Sequence, residues 1–258
     1  MTPSMRAGEA SAAGADRTPR GNCDCCVYRD TLLAQGRCRP GDACVDVRSG
    51  RQIDRFFRNN PQYAGEYLGD PFWEMRAIAA RYASHSDIAC QVHDPDEAVR
   101  RVIAYRLPED QLDALVSDPD REVRITVSDR LPPHRLEALI RDPDYLVRTQ
   151  VARRIPPGRL FGLIRDPDRQ VRAAVAERLP EVSLLLMADD TEPEIRRRVA
   201  ERIAPEALSG LLGDPDWTVR LAAVERVPAG ALCALRNDPE PDVRAAVARR
   251  LAASGTGR

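Results

Sequence analysis

The sequence predicts an all-α protein in which a solenoid of eight 24-residue repeats follows a small cysteine-rich domain. The first observation is an aspartate that returns at one constant interval without insertion or deletion, at Asp70, Asp94, Asp118, Asp142, Asp166, Asp190, Asp214 and Asp238. An arginine follows each aspartate after six residues. Five of the seven cysteines lie between Cys23 and Cys44. An unbroken period of this length is typical of a stacked repeat array.

Composition and charge limit the function classes. The chain has 258 residues, 43% of them hydrophobic, and a formal net charge of -1, so its overall charge favours neither a nucleic-acid nor a membrane partner. Residues 1–22 lack the apolar segment of a signal peptide, and no apolar run approaches the roughly 18 residues of a membrane helix. We therefore expect a cytoplasmic protein with no membrane contact.

The N-terminal quarter divides into two parts. Residues 1–21 are rich in Ala, Gly, Ser, Thr and Pro and are predicted to form a flexible tail. Residues 22–67 form the predicted cysteine-rich domain. Because a reducing compartment disfavours disulfides, clustered cysteines there indicate metal ligands. The isolated Cys90 and Cys233 are instead predicted to be small buried side chains.

The cysteine spacing indicates a thiolate-bound metal centre. The candidate ligands are Cys23, Cys26, Cys38 and Cys44, in the pattern C-x2-C-x11-C-x5-C. Four thiolates select zinc or an iron–sulfur cluster. The unequal second spacing favours the cluster, because structural zinc sites use short, similar cysteine pairs. Zinc remains the alternative, and Cys25 could replace Cys23 or Cys26 as a ligand.

A junction rich in aromatic residues precedes the repeats. Seven of the twelve aromatic residues lie between Ile53 and Tyr82, and we interpret them as the seam between the cysteine-rich domain and the first repeat. Helices are predicted near Gln52–Asn59 and Gln62–Leu68, with Pro61 at the first helical position of the second.

The repeat region is predicted to span residues 68–252, with a short tail at 253–258. In the second repeat, Asp94 is the predicted N-cap and Pro95 the first helical residue. An apolar stripe at i, i+4 and i+8 follows, formed by Val99, Ile103 and Leu107. Pro108 ends this helix, and about eight residues then remain for a short second helix of α or 3₁₀ geometry.

The sixth repeat departs from the pattern. Thr191 stands where the other repeats have proline, and Pro193 follows two residues later. We expect the helix of this repeat to begin at a shifted position.

Two arginines per repeat flank the apolar stripe, as Arg172 and Arg178 do around Val175. The near-zero net charge favours pairing of both arginine ladders with the repeated aspartates. The alternative is a regular surface that binds the carboxylates or phosphates of a partner.

Sequence motifs for catalysis are missing from the chain. It has no phosphate-binding loop, nucleotide-binding glycine fingerprint or nucleophile elbow, and its three histidines, His85, His93 and His134, are not clustered. We therefore predict that the protein is not an enzyme and has no catalytic residues.

The pattern Asp-Pro-Asp-x-x-Val-Arg-x-x-Val-Ala-x-Arg-Leu-Pro-x-x-x-Leu-x-x-Leu, with the preceding cysteine cluster, resembles the leucine-rich repeat variant family from about Cys23 to Ala252. The resemblance implies a [4Fe-4S] cluster in the N-terminal domain, for which Cys23, Cys26, Cys38 and Cys44 match best. It also implies α- and 3₁₀-helices that alternate in a right-handed superhelix without β-strands. The family is associated with nitrogen-fixing bacteria, but its task is not established.

These observations predict a monomeric iron–sulfur protein whose repeats act as a scaffold. Its expected role is that of a redox-responsive interaction module, or of an electron-transfer partner, for an unidentified protein. A zinc-stabilised scaffold without a redox role is one alternative. Nucleic-acid binding along the arginine ladders is another.

Overall fold

The computed structural model describes residues 18–255, and all regular structure in that range is helical. An isolated bridge between Arg39 and Ala43 is the one β-type contact recorded there. The predicted tails fall largely outside the described range, at residues 1–17 and 256–258. The chain forms two compact units, the first ending at Leu107 and the second beginning at Pro108. None of the described helices has both the length and the apolar character of a membrane span.

In its described part, from residue 18, the first unit contains four α-helices. A π-helical turn at Arg29–Leu33 and a 3₁₀ helix at Pro61–Tyr67 accompany α1 (Gly50–Asn59), α2 (Trp73–Tyr82), α3 (His85–Ala89) and α4 (Glu97–Arg106). Helix α2 packs against both α1 and α4. The two helices predicted before the first repeat are present, and Pro61 begins the second of them.

The second unit repeats one motif. Its α-helices are α5 (Arg121–Arg130), α6 (Tyr145–Arg154), α7 (Arg169–Arg178), α8 (Pro193–Arg202), α9 (Trp217–Arg226) and α10 (Pro241–Gly255). A 3₁₀ helix precedes each of them, at Glu109–Leu115, Pro133–Leu139, Pro157–Leu163, Glu181–Met187, Pro205–Leu211 and Ala229–Leu235. In the second unit the predicted short second helix is thus a 3₁₀ helix, whereas in the first repeat the short α-helix α3 takes its place.

The core of each repeat is the predicted apolar stripe. Val171, Val175 and Leu179 are fully buried, as are Leu160 and Leu184 on the neighbouring 3₁₀ helices. Helices of ten residues are marginal when isolated, so packing against the neighbouring repeats supplies most of their stability.

The helix N-cap was predicted at the wrong aspartate of the Asp-Pro-Asp motif. In α4 the N-cap is Asp96, whose carboxylate accepts the N–H of Ala98 at 3.0 Å. Asp94 lies in the preceding turn, where it accepts the N–H of Asp96 at 2.9 Å and the guanidinium of Arg76. The first aspartate therefore joins repeats, and the second caps the helix.

The predicted shift in the sixth repeat is also wrong. Helix α8 begins at Pro193, one full repeat length after the start of α7 at Arg169, so its phase is unchanged. Proline tolerates the first helical position because the N–H it lacks has no intrahelical partner there. The local difference is the cap, since Glu192 makes no side-chain capping hydrogen bond.

The two isolated cysteines are exposed, contrary to the prediction. Cys90 follows the last residue of α3, and its Sγ lies 3.7 Å from the carbonyl oxygen of Ser86. Cys233 occupies the solvent-facing side of its 3₁₀ helix, where Leu232 and Leu235 face the core. Apolar character alone did not indicate which side of these short helices is buried.

The first arginine ladder pairs with aspartates, as predicted. Arg124 donates from Nε and Nη2 to the two carboxylate oxygens of Asp142, at 2.8 and 3.1 Å. Its Nη1 donates to the carbonyl oxygen of Asp118 at 2.8 Å. The same carboxylate pairing links Arg76 to Asp94, Arg148 to Asp166, Arg172 to Asp190, Arg196 to Asp214 and Arg220 to Asp238.

The second arginine ladder binds backbone carbonyls, so the predicted aspartate pairing is wrong for it. Arg178 Nη1 donates to the carbonyl oxygens of Ala152 and Ile155, both at 2.8 Å. These groups end α6, where the last carbonyls have no intrahelical donor. Arg106, Arg154, Arg202, Arg226 and Arg250 donate to equivalent carbonyl oxygens, so these arginines cap the preceding helices.

Candidate metal centre

A tight turn places the first cysteine pair. The N–H of Cys26 donates to the carbonyl oxygen of Cys23 at 3.4 Å, and the side chain of Asn22 accepts the N–H of Asp24 at 3.0 Å. Cys23 and Cys26 are half-buried. Cys25, between them, is exposed, and its Sγ lies 3.9 Å from the carbonyl oxygen of Asn22.

A second turn places Cys38 and Cys44. The N–H groups of Arg39 and Ala43 exchange hydrogen bonds of 2.8 and 2.9 Å with each other's carbonyl oxygens, and the backbone reverses between them. Gly41 makes this reversal with φ +79°, which favours glycine. The N–H of Cys44 then donates to the carbonyl oxygen of Gln52 in α1 at 3.2 Å.

The two turns bring four thiols into electrostatic contact. Burial raises the pKa of Cys38, and negative charge on Cys26, Cys44 and Cys23 raises it further. Burial also raises the pKa of Cys44, a hydrogen bond from the Asp46 N–H opposes this, and Cys23 and Cys26 again add to the rise. Cys25 contributes to neither shift. Cys38 and Cys44 therefore both lie close enough to Cys23 and Cys26 to be affected by their charge.

Close backbone contact holds the segment before Cys23 against Cys44. A Cβ atom added at Gly21 would lie 2.7 Å from the Cys44 Sγ and 3.1 Å from the Asp46 Cβ. The Asp46 carboxylate accepts the N–H of Asn22 at 2.8 Å. Gly21 therefore allows a packing distance that any larger residue would prevent.

An aromatic cluster begins at Tyr28, directly after the first turn. The Tyr28 ring lies 5.3 Å from that of Phe56 and 5.1 Å from that of Tyr63. Burial and the hydrogen bond with the Tyr67 hydroxyl raise the pKa of Tyr28 above its ordinary value. Phe57 continues the cluster to Tyr82 of α2, with ring centroids 6.4 Å apart. The predicted aromatic seam is therefore present within the first unit.

Two buried amides also support the centre, and the sequence analysis missed them. Asn60 is fully buried and donates from Nδ2 to the carbonyl oxygens of Arg37 and Phe56, at 2.9 and 3.0 Å. Gln52 is 2% exposed and donates from Nε2 to the carbonyl oxygen of Pro19 at 2.8 Å. An asparagine at a helix end or a glutamine within a helix is usually exposed to solvent, so the sequence alone did not indicate that Asn60 and Gln52 are buried.

The donor set is chemically suited to an iron–sulfur cluster. Thiolates are the usual cluster ligands, although four of them also suit zinc. Around one zinc ion, bonds of about 2.3 Å would hold the sulfurs roughly 3.8 Å apart. Between residues 18 and 255, no three His, Cys, Asp or Glu side chains converge closely enough for a single ion.

Comparisons with known proteins match both parts of the chain. The family model described as "LRV protein FeS4 cluster" matches residues 20–66, and "Leucine rich repeat variant" matches residues 121–144 and 145–168. A solved structure, titled a leucine-rich repeat variant with a novel repetitive protein structural motif, is 61% identical and covers 91% of this chain and 100% of that chain. Its TM-score of 0.83 confirms the repeat-solenoid fold class.

A curated relative matches a shorter region. It is an uncharacterized 27.7 kDa protein in the nifB 3' region of Rhodobacter capsulatus, 42% identical over 86 residues. The match covers 33% of this chain and 35% of the relative, so the chain spans about a third of that protein's length.

Proposed function

Since the chain belongs to the leucine-rich repeat variant family with an N-terminal iron–sulfur domain, we propose that it is a redox-active [4Fe-4S] protein that engages a protein partner through its repeats. Cys23, Cys26, Cys38 and Cys44 are the proposed ligands. The observation that carries this assignment is that two hydrogen-bonded turns present these four thiols, half-buried or buried, within the segment that the family model matches.

The proposed ligand set leaves Cys25 free. Its thiol is exposed, whereas Cys44 is buried and the other three are half-buried. The turn that joins Cys23 to Cys26 directs the intervening residues outward, which supports this choice.

The exposure of the site supports a redox role. Such a cluster supplies one-electron transfer when it is bound. The chain leaves three of the four thiols half-buried, and Val27, next to Cys26, is 81% exposed. A partner can therefore approach the site closely. Arg39 is exposed and adjacent to Cys38 in the sequence, where its positive charge would favour the reduced state of a bound cluster.

The repeats support a scaffold role in this proposal. Their aspartates cap helices or pair with arginines, so the fold accounts for them without acid–base chemistry. The arginines of the first ladder are also engaged within the fold. The Arg124 guanidinium, for example, pairs with Asp142, and its side chain is 10% exposed. We therefore do not favour nucleic-acid binding along the ladders. We further propose a monomer in a reducing cytoplasm, where free thiols persist.

Metal analysis of anaerobically purified protein tests the cofactor. We expect about four iron and four sulfide per chain, and an electron paramagnetic resonance signal that a redox titration cycles reversibly. Stoichiometric zinc without iron would contradict the cluster assignment and favour the zinc scaffold. A cluster that resists cycling would contradict the redox role alone.

A further inference from the structure

One 3₁₀ helix of the second unit exposes large apolar side chains. On Glu181–Met187, Val182 is 89% exposed, Leu185 51% and Leu186 55%. The core side of the same helix is already filled by Leu184 and Met187, which are buried. The three exposed side chains therefore contribute little to the core of the repeat.

The other repeats show that the fold does not need these side chains. At the position of Val182 they have Asp110, His134, Gly158, Glu206 and Gly230. At the position of Leu185 they have Asp113, Glu137, Phe161, Ser209 and Cys233. At the position of Leu186 they have Ala114, Ala138, Gly162, Gly210 and Ala234. At these three positions the other repeats therefore have polar or small residues in almost every case.

Neighbouring residues extend these side chains into a grooved surface. Phe161, one repeat before Leu185, is 50% exposed. Leu186 lines two grooves, of about 450 Å³ and about 380 Å³. We call Phe161, Val182, Leu185 and Leu186 the apolar patch. Exposed apolar surface that the fold does not require is typical of an interaction site.

Positive charge borders the apolar patch. Arg165 lines both grooves, and Arg141 occupies the equivalent position in the preceding repeat. Both are exposed, and neither makes an ion pair with any residue between 18 and 255. Asp189 lies at that position in the next repeat and borders the same grooves. The surface is therefore apolar at its centre and basic on the Arg141–Arg165 flank.

We propose that the apolar patch binds an amphipathic segment of a partner protein, with aliphatic or aromatic side chains on the patch and carboxylates facing Arg141 and Arg165. Four partly exposed side chains form a smaller surface than the roughly 800 Å² per partner of a standard stable interface. This favours a peptide segment over a second copy of the chain. The inference rests on the interaction role proposed for the repeats, but not on the cluster.

The chain itself supplies variants that should preserve the fold. A triple patch variant introduces residues that other repeats already have at the equivalent positions, Glu206, Ser209 and Ala234. Its substitutions are Val182→Glu, Leu185→Ser and Leu186→Ala. A double arginine variant, Arg141→Ser with Arg165→Ser, introduces serine, which is the residue at the equivalent position Ser117. The control variant Trp217→Arg removes an exposed aromatic residue from α9 and introduces the residue that α7 has at the equivalent position, Arg169.

The probe is a displayed library of random 12-residue peptides, selected against the full chain and then measured singly by fluorescence anisotropy. We expect enriched peptides that combine apolar with acidic residues. The triple patch variant should weaken their binding at least tenfold, and the double arginine variant should weaken it and reduce its salt dependence. Trp217→Arg should leave it unchanged. Circular dichroism verifies folding, and Leu186→Ala alone replaces the triple variant if that variant unfolds.

Three results would overturn the inference: no enriched peptide, enriched peptides without acidic residues, or binding that the patch variants do not alter. Concentration-dependent dimerisation that the triple variant abolishes would also overturn it, in favour of a second copy. Iron content and the redox titration are measured on the same variants, so failure of this surface is separable from failure of the cluster.

Discussion

Arg76 donates from Nε and Nη2 to both carboxylate oxygens of Asp94, at 2.7 and 2.8 Å, across 18 residues of sequence. Its Nη1 meanwhile donates to the carbonyl oxygen of Asp70, six residues earlier, at 2.9 Å. One guanidinium thus binds the Asp70-Pro71-Phe72 turn of one repeat and the Asp94-Pro95-Asp96 turn of the next. Planar, bidentate geometry of this kind is specific to arginine, and lysine cannot reproduce it.

Breaking one of these pairs in the second unit should be costly. Arg196→Met leaves the Asp214 carboxylate, whose side chain is 4% exposed, without its main partner. We expect a loss of about 3 kcal/mol, because an unpaired buried charge is strongly destabilising. The measurement is the urea midpoint by circular dichroism.

The adjacent Arg197 provides the matched control. It pairs with Glu201 at i+4, and both side chains are more than a third exposed. Arg197→Met should cost under about 1 kcal/mol. Equal midpoints for the two variants would show that the ladder pairs contribute no more than surface pairs.

Acid should weaken the same ladder. The hydrogen bond from Arg220, opposed by desolvation, lowers the pKa of Asp238. A depressed folded-state pKa stabilises the fold fully above the unfolded value of about 3.9, and this stabilisation is lost as pH falls through the folded value. The melting temperature should therefore be nearly constant down to about pH 5 and fall below about pH 4.

Comparison with Asp238→Asn tests this assignment. The variant should be less stable than the wild type at pH 7, and the difference should narrow as the pH is lowered. Asp189→Asn, at an exposed position, should follow the wild-type profile. A difference between Asp238→Asn and wild type that stays constant with pH would contradict the linkage.

The sequence was sufficient for the periodic features and insufficient for the choice between chemically similar neighbours. The constant repeat length predicted the phase of α7 correctly, because burial of one stripe requires one helical phase. The same argument holds for α8, where the shift expected from Thr191 and Pro193 is wrong. It could not show which aspartate of Asp94-Pro95-Asp96 caps the helix, since both are good caps and only Arg76 of the preceding repeat decides between them. The cysteine spacing marked the site, but Gly21 and Asn60 act through contacts that spacing does not encode.

Gly21 should be essential for retention of the cluster. In Gly21→Ala the new Cβ would lie 2.7 Å from the Cys44 Sγ, so Cys44 or the segment around Gly21 must move. We expect reduced iron and sulfide content after anaerobic reconstitution, with the helical circular dichroism signal retained. Gly69→Ala is the control, because nothing lies within 4 Å of its added Cβ. Equal iron content in the two variants would contradict this role.

The cysteine variants test the ligand set directly. Cys38→Ser should abolish iron binding, because it removes one of the four proposed ligands, a half-buried thiol. Cys25→Ser and Cys90→Ser remove exposed thiols and should retain the iron content and the absorption spectrum of the wild type. If Cys25→Ser loses iron while Cys23→Ser or Cys26→Ser retains it, the ligand set must be revised to include Cys25.

Helix α8 lacks a side-chain N-cap, so exchanging the N-cap residues of α7 and α8 tests how much the cap stabilises a repeat helix. Glu192 occupies the position at which Asp168 accepts the N–H of Gln170 at 2.8 Å, but it makes no such bond. The shorter aspartate side chain suits an N-cap, so Glu192→Asp should stabilise the protein by about 0.5–1 kcal/mol. Asp168→Glu should destabilise it by a similar amount, since α7 then loses its cap. Urea midpoints of both variants and of the double exchange measure these effects. Stabilisation by both substitutions, or by neither, would show that the Asp cap does not determine the stability of these helices.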